Sequence, residues 1–94
     1  METLDDQRIE AHLTGVPGWA RDGQTIAREL ELADFAAAIA LVDAVAVAAE
    51  SANHHPDIMV FGWNHVRLTL STHSAGGLTP ADFALAAQID ALIP

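Results

Sequence analysis

The sequence predicts an α+β domain: a four-stranded antiparallel sheet with three helices packed on one face, in the order α-β-β-α-β-β-α. Three observations carry that expectation. Short runs with strand-like patterning come in two pairs, each joined by a turn signal, as hairpins require. A long alanine-rich apolar segment separates the pairs. Capping patterns mark helix starts before the first pair and after the second. Helices held to one face of an antiparallel sheet bury both kinds of element in two layers.

Thr3-Leu4-Asp5-Asp6 reads as a helix start, with the Thr3 hydroxyl as cap and an acidic residue at the third helical position. This helix is expected to run to about Leu13, to turn Ile9 and Leu13 inward, and to stop at Gly15 and Pro17. Trp19-Ala20-Arg21 and Gln24 to Leu32 follow as strands about Asp22-Gly23, because glycine accepts the positive φ of a two-residue hairpin loop. Ile26, Leu30 and Leu32 share one parity, interrupted by Arg28. Asp34 caps the next helix, Phe35 to about Ser51, in which Phe35, Ile39, Val42, Ala46 and Ala49 form the expected inward stripe. Asp57 to Phe61 and Val66 to Thr72 are the second pair of strands, with Gly62-Trp63-Asn64-His65 as their turn. The last helix has the clearest start: Thr79 as cap, Pro80 at the first position, Asp82 completing a capping box, and Leu78 and Phe83 as a staple.

With 94 residues the chain is read as one domain over 1–94. A core this small is modest, and with no cysteine there is no disulfide to reinforce it. Association with further copies, as a homodimer or homotetramer, is therefore expected. Four arginines, no lysine and thirteen acidic residues give a net charge of −9, which repels nucleic acid and anionic membranes alike. The acidic N-terminal residues lack the basic-then-apolar order of a secretory signal. The longest apolar stretch, Phe35 to Ala49, is broken by Asp43 and is shorter than the roughly 20 residues of a membrane span. A cytoplasmic location follows as the expectation, and the alanine-rich, lysine-free composition suggests a bacterial source.

Two segments carry the chemistry-bearing side chains: Glu50-Ser51-Ala52-Asn53-His54-His55-Pro56 and Ser71-Thr72-His73-Ser74-Ala75-Gly76-Gly77-Leu78-Thr79. Histidine both gives and takes a proton near neutrality, so a helix exit and a strand end bearing three imidazoles could form an acid–base site. His-His-Pro could equally be a helix terminus ahead of a helix-stopping proline, with Gly76-Gly77 supplying a tight turn. Zinc bound by three histidines with Asp57 or Glu50 is a further possibility. Against it, adjacent side chains such as His54 and His55 diverge in either regular conformation and rarely reach one ion.

Together the two segments resemble the pterin-4a-carbinolamine dehydratases. The resemblance rests on Glu50, His54-His55-Pro56, Trp63-Asn64, Leu68-Thr69-Leu70-Ser71-Thr72-His73, and Gly76-Gly77-Leu78-Thr79 with Asp82, and more weakly on Gly18-Trp19, Asp34-Phe35, Leu85-Ala86 and Ile89. It implies the same fold and a dehydration: loss of the C4a hydroxyl of a hydroxylated tetrahydropterin as water, giving quinonoid dihydropterin for recycling. By position, His54 and His73 are the implied acid–base pair, and His55 orients the pterin or its hydroxyl. Main-chain groups from Ser71 to Ala75, including those of Thr72 and Ser74, are implied to read the pterin's amide edge, with Glu50, Pro56 and Asp82 completing the substrate-binding set. No metal and no cofactor is implied, since the pterin is itself the substrate. Some relatives in this family bind transcription factors or assist assembly of other proteins, so a non-catalytic interaction role is the alternative. The sequence departs from the family at Asn53, often aspartate, and at Ile58, often tryptophan. The span from Pro56 to His73 is one residue longer than usual, with Gly62 the expected site of an extended turn or bulge.

Overall fold

Strand β4 (His65–Leu70) is the line along which the fold is assembled. Val66, Leu68 and Leu70 alternate with Arg67 and Thr69, and those three apolar side chains are fully buried. In the computed structural model, which describes residues 2–94, β4 pairs antiparallel with β2 (Thr25–Glu31) on one side and β3 (Asp57–Phe61) on the other. β1 (Ala20–Asp22) completes a sheet ordered β1-β2-β4-β3. The helices α1 (Asp6–Leu13), α2 (Phe35–Ala52) and α3 (Pro80–Asp90) supply the other layer, and Ile9, Leu41, Val45, Leu85 and Ile89 join the buried cluster beneath the sheet. The predicted architecture and element order hold.

Three local expectations are corrected and one irregularity is explained. α1 is capped by Asp5, whose side chain accepts from Arg8 N–H at 2.9 Å, and not by Thr3. Leu4 N–H bonds to Leu78 O at 2.8 Å, which ties the residues before the helix to the segment ahead of α3. In the first hairpin Asp22 pairs with Thr25, so the two loop residues are Gly23 and Gln24, with φ +61° at Gly23. The Arg28 that interrupts the inner face of β2 is accounted for: its Nη1 meets Asp90 Oδ1 of α3 at 2.9 Å, and the same oxygen accepts from Trp19 Nε1 at 2.8 Å. Finally, α2 buries Ala38, Leu41, Val45 and Ala49; of the expected stripe only Ala49 is among them, Ile39 and Val42 being half-buried and Phe35 and Ala46 exposed. Its apolar residues run almost all the way round, so spacing alone could not choose the face. Phe35 and Val47 consequently stand exposed, at 55% and 72%.

α2 spans 18 residues with mean hydropathy 1.8, long and apolar enough by composition to cross a membrane. Here one of its faces is packed into the core beside α3, β3 and β4. In the turn between β3 and β4, Gly62 and Trp63 both adopt left-handed φ (+53° and +59°), and pairing runs without a break from Asp57↔Thr69 to Phe61↔His65. His65 therefore belongs to the strand and not to the turn. Asn64 is buried and anchors this turn, its Nδ2 donating to Leu32 O at 2.9 Å while Leu32 N–H donates to Asn64 O at 2.8 Å.

The exit of α2 decides where the paired histidines go. Asn53 takes left-handed φ and ψ (49°, 43°), its N–H donates to Glu50 O at 3.2 Å, and His54 N–H donates to Ala49 O at 3.1 Å. These are the two bonds of a Schellman termination, with asparagine in the position that most often holds glycine. Asn53→Ala is expected to lower unfolding free energy by roughly 1 kcal/mol, because alanine tolerates left-handed backbone poorly, whereas Asn53→Gly leaves it equal or higher. Urea unfolding of the three proteins checks this; equal midpoints for Asn53→Ala and Asn53→Gly would contradict it.

Candidate active site

Because the chain reverses at Asn53, the two adjacent imidazoles diverge. His55 turns outward, where its Nε2 lies 2.5 Å from Glu50 Oε2, and both side chains are largely exposed (60% and 77%). His54 turns inward, its side chain only 15% exposed, and its Nε2 lies 2.6 Å from Asp82 Oδ1. The two neighbouring histidines thus each have their own carboxylate. Among the described residues, no three His, Asp or Glu side chains are placed to hold a metal ion.

Asp82 serves two elements at once. As the third residue of α3 it completes the capping box, its Oδ2 accepting from Thr79 N–H at 2.9 Å. The same oxygen accepts from the Thr72 hydroxyl at 2.8 Å, and the carboxylate is wholly shielded from solvent. Three donors around a buried carboxylate satisfy the requirement that a charge removed from water be hydrogen-bonded. An ionised carboxylate only accepts, so the contact to His54 makes Nε2 the protonated nitrogen and leaves Nδ1 outside this contact. The structure gives Asp82 the capping contacts that the sequence predicts and adds a contact to His54.

Thr72 leads from β4 into a short 3₁₀ turn, His73–Ala75. Its N–H donates to Gly77 O at 3.0 Å, and its carbonyl accepts from Ala75 and Gly76 N–H, each at 3.0 Å. The main-chain groups of Thr72 are thus engaged within the loop. Gly76, with φ +77°, closes the turn. His73 and Ser74 are exposed on it, Ala75 is half-buried, and Pro56 is half-buried at the entry to β3. The Ser71 hydroxyl reaches the first hairpin, donating to Gln24 O at 2.9 Å. Thr72, the residue before His73, belongs to the His54 cluster through Asp82, whereas the His73 side chain itself makes no hydrogen bond to that cluster. Three surface grooves of about 300, 320 and 220 Å³ lie elsewhere, beside His12 and Phe83, beside Leu41 and Leu92, and across Ile58 and Arg67. Thr79 is the member of the cluster that sequence reasoning missed as a site residue. Its hydroxyl lies 2.9 Å from that of Thr72, and its cap signal gave no sign of a second contact.

Comparison with known proteins puts this arrangement in context. The family model for pterin 4 alpha carbinolamine dehydratase matches residues 2–92. The chain belongs to this family. A protein from Nocardia farcinica bearing the pterin-4-alpha-carbinolamine dehydratase name is 55% identical over 91 residues, covering 97% of this chain and 95% of its own. One of the same name from Roseiflexus castenholzii is 52% identical, with 96% of each chain covered. The crystal structure of a transcriptional coactivator/pterin dehydratase from Brucella melitensis superposes with a TM-score of 0.93 at 28% identity, covering 99% of this chain and all of that one. A pterin dehydratase-like protein identified as a RuBisCO assembly factor in the alpha-carboxysome gives a TM-score of 0.67 at 30% identity, over 81% of this chain and 89% of its own.

The two histidine–carboxylate pairs differ in what they contribute to stability. Asp82→Ala strips a half-buried imidazole and a buried hydroxyl of their partner and removes a cap, so a loss of roughly 3–5 kcal/mol is expected. Glu50→Gln, at an exposed pair, is expected to cost under about 1 kcal/mol. Chemical denaturation of both variants checks the contrast; comparable losses would contradict it.

Proposed function

We propose that this chain, as a member of a hydro-lyase family acting on a pterin, dehydrates a 4a-hydroxytetrahydropterin by histidine acid–base catalysis. In this reaction the C4a–O bond breaks, an acid protonates the departing hydroxyl to give water, and a base takes the N5 proton as the C4a=N5 double bond forms. Two positioned imidazoles meet both needs, and each proton transfer typically contributes about 10²–10⁴-fold. The observation that carries the reading is the His54–Asp82 contact at 2.6 Å, which fixes one imidazole with a shielded carboxylate behind it. His73, exposed on the adjoining turn, is proposed as its counterpart, and His55 as the residue that orients the pterin. Main-chain groups of Ser71 and Ser74 and the Ala75 carbonyl are proposed to read the amide edge, the groups of Thr72 and the Ala75 N–H being engaged in the loop. The chemistry needs no metal or cofactor beyond the pterin itself.

Self-association is part of the proposal. Phe35 and Val47 on the outer side of α2, and Met59 on edge strand β3, leave apolar surface uncovered in one copy, which supports a homodimer or homotetramer. A cytoplasmic location is proposed with it, supported by the packing of α2 into the core. The interaction role described for the RuBisCO assembly factor is the second reading. It draws on a relative at 30% identity, whereas relatives bearing the dehydratase name reach 55%.

A time course of carbinolamine breakdown tests the reaction. Wild type is expected to outpace buffer, and His54→Ala and His73→Ala each to lower kcat by about 10²–10⁴-fold. Breakdown no faster than in buffer would reject the dehydratase reading. Light scattering tests the assembly, and a monomer at micromolar concentration would contradict it.

A further inference from the structure

We infer that the Thr72 hydroxyl is a positioning group for His54, acting through Asp82; the inference rests on the dehydratase reading for its kinetic consequence and on the structure alone for its geometry. Thr72 is buried, and its one hydroxyl proton is directed to Asp82 Oδ2 at 2.8 Å. With that proton committed, the 2.9 Å contact between the two threonine hydroxyls has a single sense: Thr79 donates and Thr72 accepts. Thr79 Oγ1 in turn accepts from Ala81 N–H at 3.3 Å in the first turn of α3. The hydrogen bonds therefore run one way, from the α3 backbone through Thr79 and Thr72 to Asp82, whose other oxygen receives His54 Nε2–H at 2.6 Å.

The direction matters because Asp82 has two oxygens and each is held. Thr72 and the Thr79 N–H fix Oδ2, which sets the plane of the carboxylate and leaves Oδ1 aimed at the imidazole. Without the Thr72 hydroxyl the capping bond remains, so α3 keeps its start, but on Oδ2 the carboxylate is held by the Thr79 N–H alone and can tilt with the imidazole on Oδ1. His54 then loses the constraint that keeps its proton on Nε2 and Nδ1 open. A side chain one residue from His73 thus tunes the opposite member of the proposed acid–base pair.

The test uses the full chain with Thr72→Val, nearly isosteric but lacking the donor, and with Thr72→Ser, which keeps it. The first readout is the tautomer of His54 by ¹⁵N–¹H correlation of its ring. A single Nε2–H form is expected in wild type and Thr72→Ser, and a mixture in Thr72→Val. The second is steady-state kinetics: in Thr72→Val kcat is expected to fall about tenfold or more with KM within about twofold, and Thr72→Ser to restore most of the loss. A folded Thr72→Val with wild-type kcat and a single tautomer overturns the inference, as does an Nδ1–H form in wild type. If Thr72→Val does not fold, Thr72→Cys is read in the same way. Should wild type show no dehydration, the activity reading fails and the tautomer of His54 alone decides the role of Thr72.

Discussion

A carboxylate buried out of reach of water is the constraint around which the rest is arranged. Asp82 must find its hydrogen-bond donors inside the protein, and it draws them from three parts of the chain: the exit of α2, the end of β4 and the start of α3. The end of β4 and the start of α3 are also joined by the hydroxyls of Thr72 and Thr79, 2.9 Å apart. Leaving any one donor out of place exposes a desolvated charge to an unmet bond, a penalty far larger than the net worth of an ordinary hydrogen bond. The group that closes the first turn of a helix is in this way also the group that fixes the imidazole proposed to do chemistry.

The remaining architecture can be understood as what brings those donors to one place. β4, central and alternating, carries its inward parity past Leu70 to Thr72, so the hydroxyl continues the line of the buried Val66, Leu68 and Leu70. α2 ends in a left-handed asparagine that separates two consecutive histidines, one toward the interior and one toward solvent. At the other end of α3, Asp90 accepts from both Arg28 and Trp19, securing that helix against the sheet far from the site. Each end of α3 is thus held by an aspartate, the first shielded and the second half-exposed.

How much of this was legible beforehand depended on the range of the cause. The α3 start was readable to the residue, because a capping box is local and its spacing is fixed. The parity of β4 was readable for the same reason. The buried face of α2 was not: with apolar residues at nearly every position, only the placement of the sheet and α3 selects Ala38, Leu41, Val45 and Ala49. The Thr3 cap was misread because Leu4 is bound to Leu78, a contact across most of the chain. Within the site, the motif identified His54 and Asp82 as separate matches, but their contact and the part played by Thr79 are tertiary facts with no imprint in spacing. Arg28 looked like a defect in its strand until its partner, 62 positions away, was in view.

The turn that joins β3 to β4 has a consequence for how chains of this kind can diverge. Its two left-handed residues, Gly62 and Trp63, reverse the chain while every rung of the ladder beyond them stays in step. Because the buried Asn64 is stapled to Leu32, the slack cannot spread into the strand. Insertions and deletions are therefore quarantined at the tip. The histidine cluster at the far end of the same ladder is mechanically deaf to them.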